Sequence, residues 1–182
     1  MAKADPKVVK PLRDYLRKMD LVSVQPVKRT DGTTADVYYD IKKAYGDPKA
    51  LRELGMFLGG LIPEEADETI CVAGFGHGGI PLAVAVGMAY QKPITLVRSE
   101  LKPHGLQKLI DGYLPKTGDR VAIVDDVVIS GRSLHNSISM LRENTGADVI
   151  GCYVVLKDCG FDKDEINGVP LEYLFEPADL IK

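Results

Sequence analysis

The apolar positions of the chain fall into two rhythms. From residue 69 onward, short apolar runs alternate with longer stretches patterned at helical spacing. Thr69–Ala73, Ile94–Val97, Arg120–Val124 and residues 148–156 read as strands. Between them, residues 80–90 read as an apolar, Ala-rich helix. Residues 132–145 read as an amphipathic helix with Leu134, Ile138 and Leu141 on one face. Gly74–Gly79 reads as a turn, and residues 98–118, polar with several glycines, as a long connection. The first third is patterned differently. Residues 6–20 read as an amphipathic helix carrying Val8, Val9, Leu12, Leu16 and Met19. Residues 22–41 read as extended, with a turn at Thr30–Thr33 and a second strand at Val37–Ile41. Asp47-Pro48 opens a helix to about Leu61, with Leu51, Leu54, Phe57, Leu58 and Leu61 as its core face. Leu171–Pro177 reads as a small edge strand or cap.

Strands alternating with helices imply right-handed crossovers, hence an α/β fold: a mainly parallel open sheet flanked by helices. Such sheets take ligands at the carboxyl ends of their strands. The glycine turn, Arg98 and the segment after Val124 all follow strand ends, so they are expected on one rim. The 182 residues suit a single domain, with residues 1–45 as a hood and substrate region, joined by a C-terminal piece, and 65–160 as the binding core.

A net charge of −3 gives no electrostatic reason for nucleic-acid binding, so an anionic ligand must be met by locally placed cations and backbone N–H groups. The polar start Met-Ala-Lys-Ala-Asp-Pro and the lack of a membrane-length apolar run lead us to expect a cytoplasmic protein. Three cysteines, Cys71, Cys152 and Cys159, lack metal-ligand spacing; Cys71 and Cys152 read as small buried fillers.

The most pointed chemistry lies in Val121–Ser133. An apolar run ends in two adjacent carboxylates, Asp125 and Asp126, followed by Val127, Val128, Ile129, Ser130, Gly131, Arg132 and Ser133 at a helix start. Carboxylates accept hydrogen bonds from a sugar diol, and a small-residue loop at a helix N-terminus receives a phosphate. A receiver-domain acid pair would lie after the first strand, with several further βα units to follow. Gly74-Phe-Gly-His-Gly-Gly79 also matches the dinucleotide-binding pattern, with Glu100 downstream. That unit places its acid at the end of the second strand, where Arg98 stands, and leaves the Asp125–Ser133 segment without a use. Arg98, Lys102 and His104 gather positive charge just after a strand, at the start of a segment long enough to be a lid.

Val121–Ser133 resembles the 5-phosphoribosyl-1-pyrophosphate (PRPP) motif of type I phosphoribosyltransferases. Arg98-x-x-x-Lys102-x-His104-Gly105, with Gly78-Gly-Ile-Pro81 upstream, resembles the orotate phosphoribosyltransferase branch, as do Lys28 and Tyr38-Tyr39-Asp40. The resemblance covers about residues 20–160. It implies the type I phosphoribosyltransferase fold, PRPP with Mg²⁺ as the only cofactor, and transfer of phosphoribosyl to orotate. In that reading Asp125 and Asp126 hold ribose hydroxyls, residues 129–133 bind the 5′-phosphate, and the His77-Gly78 loop faces pyrophosphate. Arg98, Lys102 and His104 neutralise the leaving group, with Lys102 carrying the largest rate effect. Lys28, Tyr38 and Tyr39 border the base. A homodimer is implied, each loop closing over the neighbour's site. The chain departs from the family pattern at Ser99, where a second basic residue is usual, and at His77-Gly78, where an aromatic–lysine pair is usual. It departs also at Ile129, usually threonine, and at Leu156-Lys-Asp-Cys159, where an arginine contacts orotate; there Lys157 is the expected substitute. Transfer to another purine or pyrimidine base, and a PRPP-sensing regulator, are the other readings open at this level.

Overall fold

The computed structural model describes residues 2–28, 34–63, 70–98 and 109–181. In chain order the elements are β1 (Ala2–Lys3), α1 (Lys10–Leu16) continued by a 3-10 turn (Arg17–Met19), β2 (Val22–Lys28), β3 (Thr34–Tyr39), a 3-10 segment (Ile41–Gly46) and α2 (Pro48–Gly59). Then follow β4 (Ile70–Phe75), α3 (Gly76–Tyr90), β5 (Ile94–Val97), β6 (Ile110–Gly112), β7 (Arg120–Val128) and α4 (Arg132–Thr145). The chain closes with β8 (Asp148–Lys157), β9 (Glu165–Ile166), β10 (Val169–Phe175) and α5 (Pro177–Leu180).

The main sheet runs β1-β10-β8-β7-β4-β5-β6. All of these neighbours are parallel except β6, antiparallel to β5; the short β9 pairs antiparallel to β10 off the main path. The expected mainly parallel sheet with helices on both faces is therefore present. β2 and β3 form a separate antiparallel hairpin, the hood, whose register shifts between Val24 and Val27. Pro26 sits in that shift, where it has no N–H to give to a ladder.

One apolar cluster packs α1, α2 and α3 on one face of the sheet, with Leu12, Leu16, Leu54, Leu58, Leu82 and Val86 against Val72, Val124 and Val155. The other packs Leu134, Ile138 and Leu141 of α4 against Val121, Ile123, Cys152 and Val154. Both strand faces are covered, which is why these strands read as nearly unbroken apolar runs. Each fully buried leucine or isoleucine contributes about 1.5–3 kcal/mol by leaving water.

Several elements differ from the sequence expectation. The first helix is shorter than 6–20: Pro11 occupies its first turn and Val8 is 61% exposed. The Gly74–Gly79 turn shrinks to Phe75 and Gly76, because α3 already begins at Gly76, which turns the chain with φ +57°. Residues 98–118 contain β6, held by the Thr95 hydroxyl donating to the Tyr113 carbonyl at 2.8 Å. β7 does not stop before the acids but runs through them to Val128, since β8 is long enough to pair it there. The C-terminal strand is interior, between β8 and β1, and its Leu174 and Phe175 are fully buried. The turn at Thr30–Thr33 lies outside the described residues.

Candidate active site

Successive side chains of a strand point to opposite faces, yet the carboxylates of Asp125 and Asp126 both border Gly78. Local hydrogen bonds explain this. The Asp126 amide donates to Asp125 Oδ1 and the Val127 amide to Asp126 Oδ1, both at 2.9 Å, so each carboxylate folds forward toward the strand end. Only 4% of Asp125 and 7% of Asp126 are exposed. Burial, and then the charge of Asp126, push the Asp125 carboxyl up to about 7. Ser133, in the first turn of α4, donates its hydroxyl to Asp125 Oδ2 at 3.1 Å.

The start of α3 leans over this pair. A Cβ at Gly78 would overlap Asp126 Oδ1 and stand 3.0 Å from Asp125 Oδ1, so only glycine brings the helix start this close. Two helix N-termini, those of α3 and α4, thus flank two acids. Helix N-termini carry partial positive charge and favour anions. Gly131, buried and with φ +73°, caps α4 and makes the turn from β7 into it.

The 3-10 segment between hood and core adds two residues that sequence reasoning missed. Lys42 donates from Nζ to Asp126 Oδ2 at 2.7 Å. Burial is the largest influence and works against the charge on Lys42, but the hydrogen bond to Asp126 and the neighbouring negative charge of Asp126 and Asp125 together outweigh it and raise its pKa. Tyr45 donates its hydroxyl to the Gly78 carbonyl at 2.8 Å, and burial followed by the charges of Asp126 and Asp125 holds that phenol protonated. The available signal was the spacing of Ile41 and Ala44, both fully buried, which fixes the opposite edge of this segment in the core.

Other expected site residues divide sharply. Gly78 and Ser133 lie against Asp125 and Asp126, whereas Gly131 lies against Phe161 and Ile166. His77, Ile129, Ser130 and Arg132 are exposed near them, at the starts of α3 and α4. Val127 packs on one apolar cluster and Val128, 1% exposed, belongs to the other, so their side chains are core. Tyr38 is 41% exposed, whereas Tyr39 is buried and donates its hydroxyl to Asp158, tying hood to sheet. Two cations are turned elsewhere. Arg98 is ion-paired with Asp111 across the β5–β6 ladder, because β6 places an acid beside it that the reading as a loop could not foresee. Lys157 lies over the Tyr173 ring, 5.2 Å from its centre, and pairs with Asp164 at 3.4 Å. It therefore faces the α4 side of the sheet rather than the hood, as the last residue of a strand whose neighbour Asp158 takes the hood side. Lys102 and His104 lie outside the described residues. Lys28 ends β2; nothing further is assigned to its side chain.

No family model matches the chain. The orotate phosphoribosyltransferase of Methanothermobacter thermautotrophicus is 35% identical over 164 residues, covering 88% of each chain. The crystal structure of the Aeropyrum pernix orotate phosphoribosyltransferase is 30% identical and superposes with a TM-score of 0.67, over 90% of this chain and 93% of that one. The Mycobacterium tuberculosis orotate phosphoribosyltransferase, solved in complex with PRPP, has the same fold at 24% identity, with a TM-score of 0.71 over 93% and 96% of the two chains.

Proposed function

The chain belongs to the orotate phosphoribosyltransferase family, and from that premise we propose how its residues carry the family reaction. The enzyme transfers the 5-phosphoribosyl group of PRPP to orotate, giving orotidine 5′-monophosphate and pyrophosphate. The observation that supports this best is the buried acid pair between two helix starts: a site for a diol with an anion on each side.

A ring nitrogen of orotate forms a bond to ribose C1 as the C1–oxygen bond to pyrophosphate breaks, the electron pair leaving with pyrophosphate and the nitrogen's proton passing to solvent. Positive charge develops on the ribose, so the protein's task is charge placement and exclusion of water. Asp125 and Asp126 accept from the ribose hydroxyls and lie next to that charge. Backbone amides of residues 129–133 receive the 5′-phosphate, and the amides at the start of α3 face the pyrophosphate. Lys102 and His104 neutralise the leaving group as it departs, with Lys102 contributing most to the rate.

We assign Mg²⁺ as the cofactor. Among the described residues no group of three or more His, Cys, Asp or Glu side chains is placed to hold a metal ion. Two carboxylates with substrate oxygens do suit Mg²⁺, which characteristically keeps few protein ligands beside phosphates. Carried on PRPP beside Asp125 and Asp126, the ion would supply charge neutralisation to the diphosphate. A homodimer is the proposed assembly. The all-round apolar helix α3 leaves Val84 and Met88, one turn apart, 37% and 75% exposed, a face that a second copy would cover. Among the described residues no helix is long and apolar enough to cross a membrane.

Steady-state loss of orotate absorbance with PRPP and Mg²⁺ tests the assignment. Turnover is expected, with loss of at least about a hundredfold in Lys102→Ala. A purine preference over orotate would overturn the reaction assigned, and undiminished Lys102→Ala would remove that residue's role.

A further inference from the structure

The resemblance leaves the carboxylate of the base without its usual arginine, and the structure turns the expected substitute, Lys157, toward Tyr173 and Asp164. The chemistry of the reaction says where a replacement must stand. In orotate the carboxylate is on the ring carbon next to the nitrogen that attacks ribose C1. It therefore sits three bonds from C1, and C1 adjoins the carbon whose hydroxyl is held by the acid pair. A cation that serves this carboxylate must lie within hydrogen-bond reach of both the base and the acids. It must also offset the repulsion between a base carboxylate and two buried acids.

Lys42 meets these conditions. Its ammonium is 2.7 Å from Asp126 Oδ2, and its side chain is 48% exposed on the open side of the acids. Its backbone is fixed from behind by the fully buried Ile41 and Ala44 and by the Tyr45–Gly78 hydrogen bond. The segment that carries Lys42 follows directly on the β2–β3 hairpin, so the lysine stands between that hairpin and the acids. An ammonium has three donors, and one is used by Asp126; the others are available to a second carboxylate without breaking the first bond.

We propose that Lys42 is the base-specificity residue of this enzyme: it bridges Asp126 and the carboxylate of orotate, doing from the hood what the family's strand-end arginine does from the sheet. The inference rests on the orotate reading above, and equilibrium binding of two products separates the two. Orotidine 5′-monophosphate and uridine 5′-monophosphate differ only in this carboxylate. Calorimetry on the full chain should show wild type preferring the former. In Lys42→Met, affinity for orotidine 5′-monophosphate should fall about tenfold or more beyond any fall in that for uridine 5′-monophosphate, and Lys42→Arg should keep the preference. Retained affinity for uridine 5′-monophosphate also reports that the variant is folded. An unchanged preference in Lys42→Met, or equal weakening of both nucleotides, would overturn the role of Lys42 while leaving orotate turnover by wild type intact. Wild type that shows neither the preference nor orotate turnover would overturn the orotate reading itself, and this assignment with it.

Discussion

The Tyr45 hydroxyl donates to the carbonyl of Gly78, 33 residues away, at 2.8 Å. The segment that carries Lys42 is thereby pinned to the start of α3, beside the acids. Tyr45→Phe keeps the ring but leaves a carbonyl unpaired. It is expected to cost about 1–2 kcal/mol in urea unfolding and to raise KM for PRPP several-fold. Unchanged KM with reduced stability would confine Tyr45 to a structural part.

The acid pair sets a pH dependence of stability. The ordinary value of an aspartate is 3.8, and burial with the charge of Asp126 raises Asp125 to about 7 in the fold. A raised carboxyl binds its proton more tightly folded than unfolded. Its stabilising contribution is therefore fully present below about pH 4 and is lost as pH rises to about 7. Asp125→Asn removes that loss. The variant's Tm should exceed that of wild type by a margin that grows between pH 4 and pH 8, while turnover is abolished. A margin constant with pH would show that Asp125 is not the titrating group.

Arg98 was expected to meet pyrophosphate, but it is held by Asp111. Arg98→Ala should therefore raise KM for PRPP by no more than about fivefold, the change that about 1 kcal/mol produces. A loss as large as that of Lys102→Ala would show that Arg98 leaves Asp111 when substrate binds.

Burial also tests the placement of β10. As an edge strand or cap it would tolerate truncation of its side chains. As an interior strand with Phe175 fully buried, Phe175→Ala should cost about 3–5 kcal/mol, read from the shift in urea midpoint at constant slope.

If the outer face of α3 is the dimer contact, Met88→Glu should convert the protein to monomers in light scattering and reduce turnover. A dimer that survives the substitution would place the contact elsewhere.

The sequence made the βα alternation plain because strands covered on both faces write themselves as apolar runs, as in Val121–Val124 and Val149–Leu156. It made the acid pair and its loop plain because polar residues at that position need a reason. It hid the interior place of β10, where Pro170 and Glu172 interrupt the apolar pattern although Leu171, Leu174 and Phe175 are buried. The partners of Arg98 and Lys157 were hidden too, since pairing with Asp111 and Asp164 depends on a three-residue strand and a loop that carry no periodic signal. Lys42 and Tyr45 were hidden because six residues of 3-10 helix have too short a repeat to announce a face. Their function comes from contacts 84 and 33 residues distant.

The pairing of β1 with β10 has a consequence for how the chain is made. Ala2 and Lys3 lie in register with Glu172 and Tyr173, and Lys3 reaches Glu176 and Asp179 at 2.9 and 2.8 Å. β1 is therefore made long before the strand that gives it a neighbour. Until β10 emerges from the ribosome, β8 stands with an open, apolar edge, the most sticky surface the growing polypeptide presents. Completion of the sheet is thus a late event, and translation that stops short of residue 175 should yield a chain that associates with its own copies rather than one that folds.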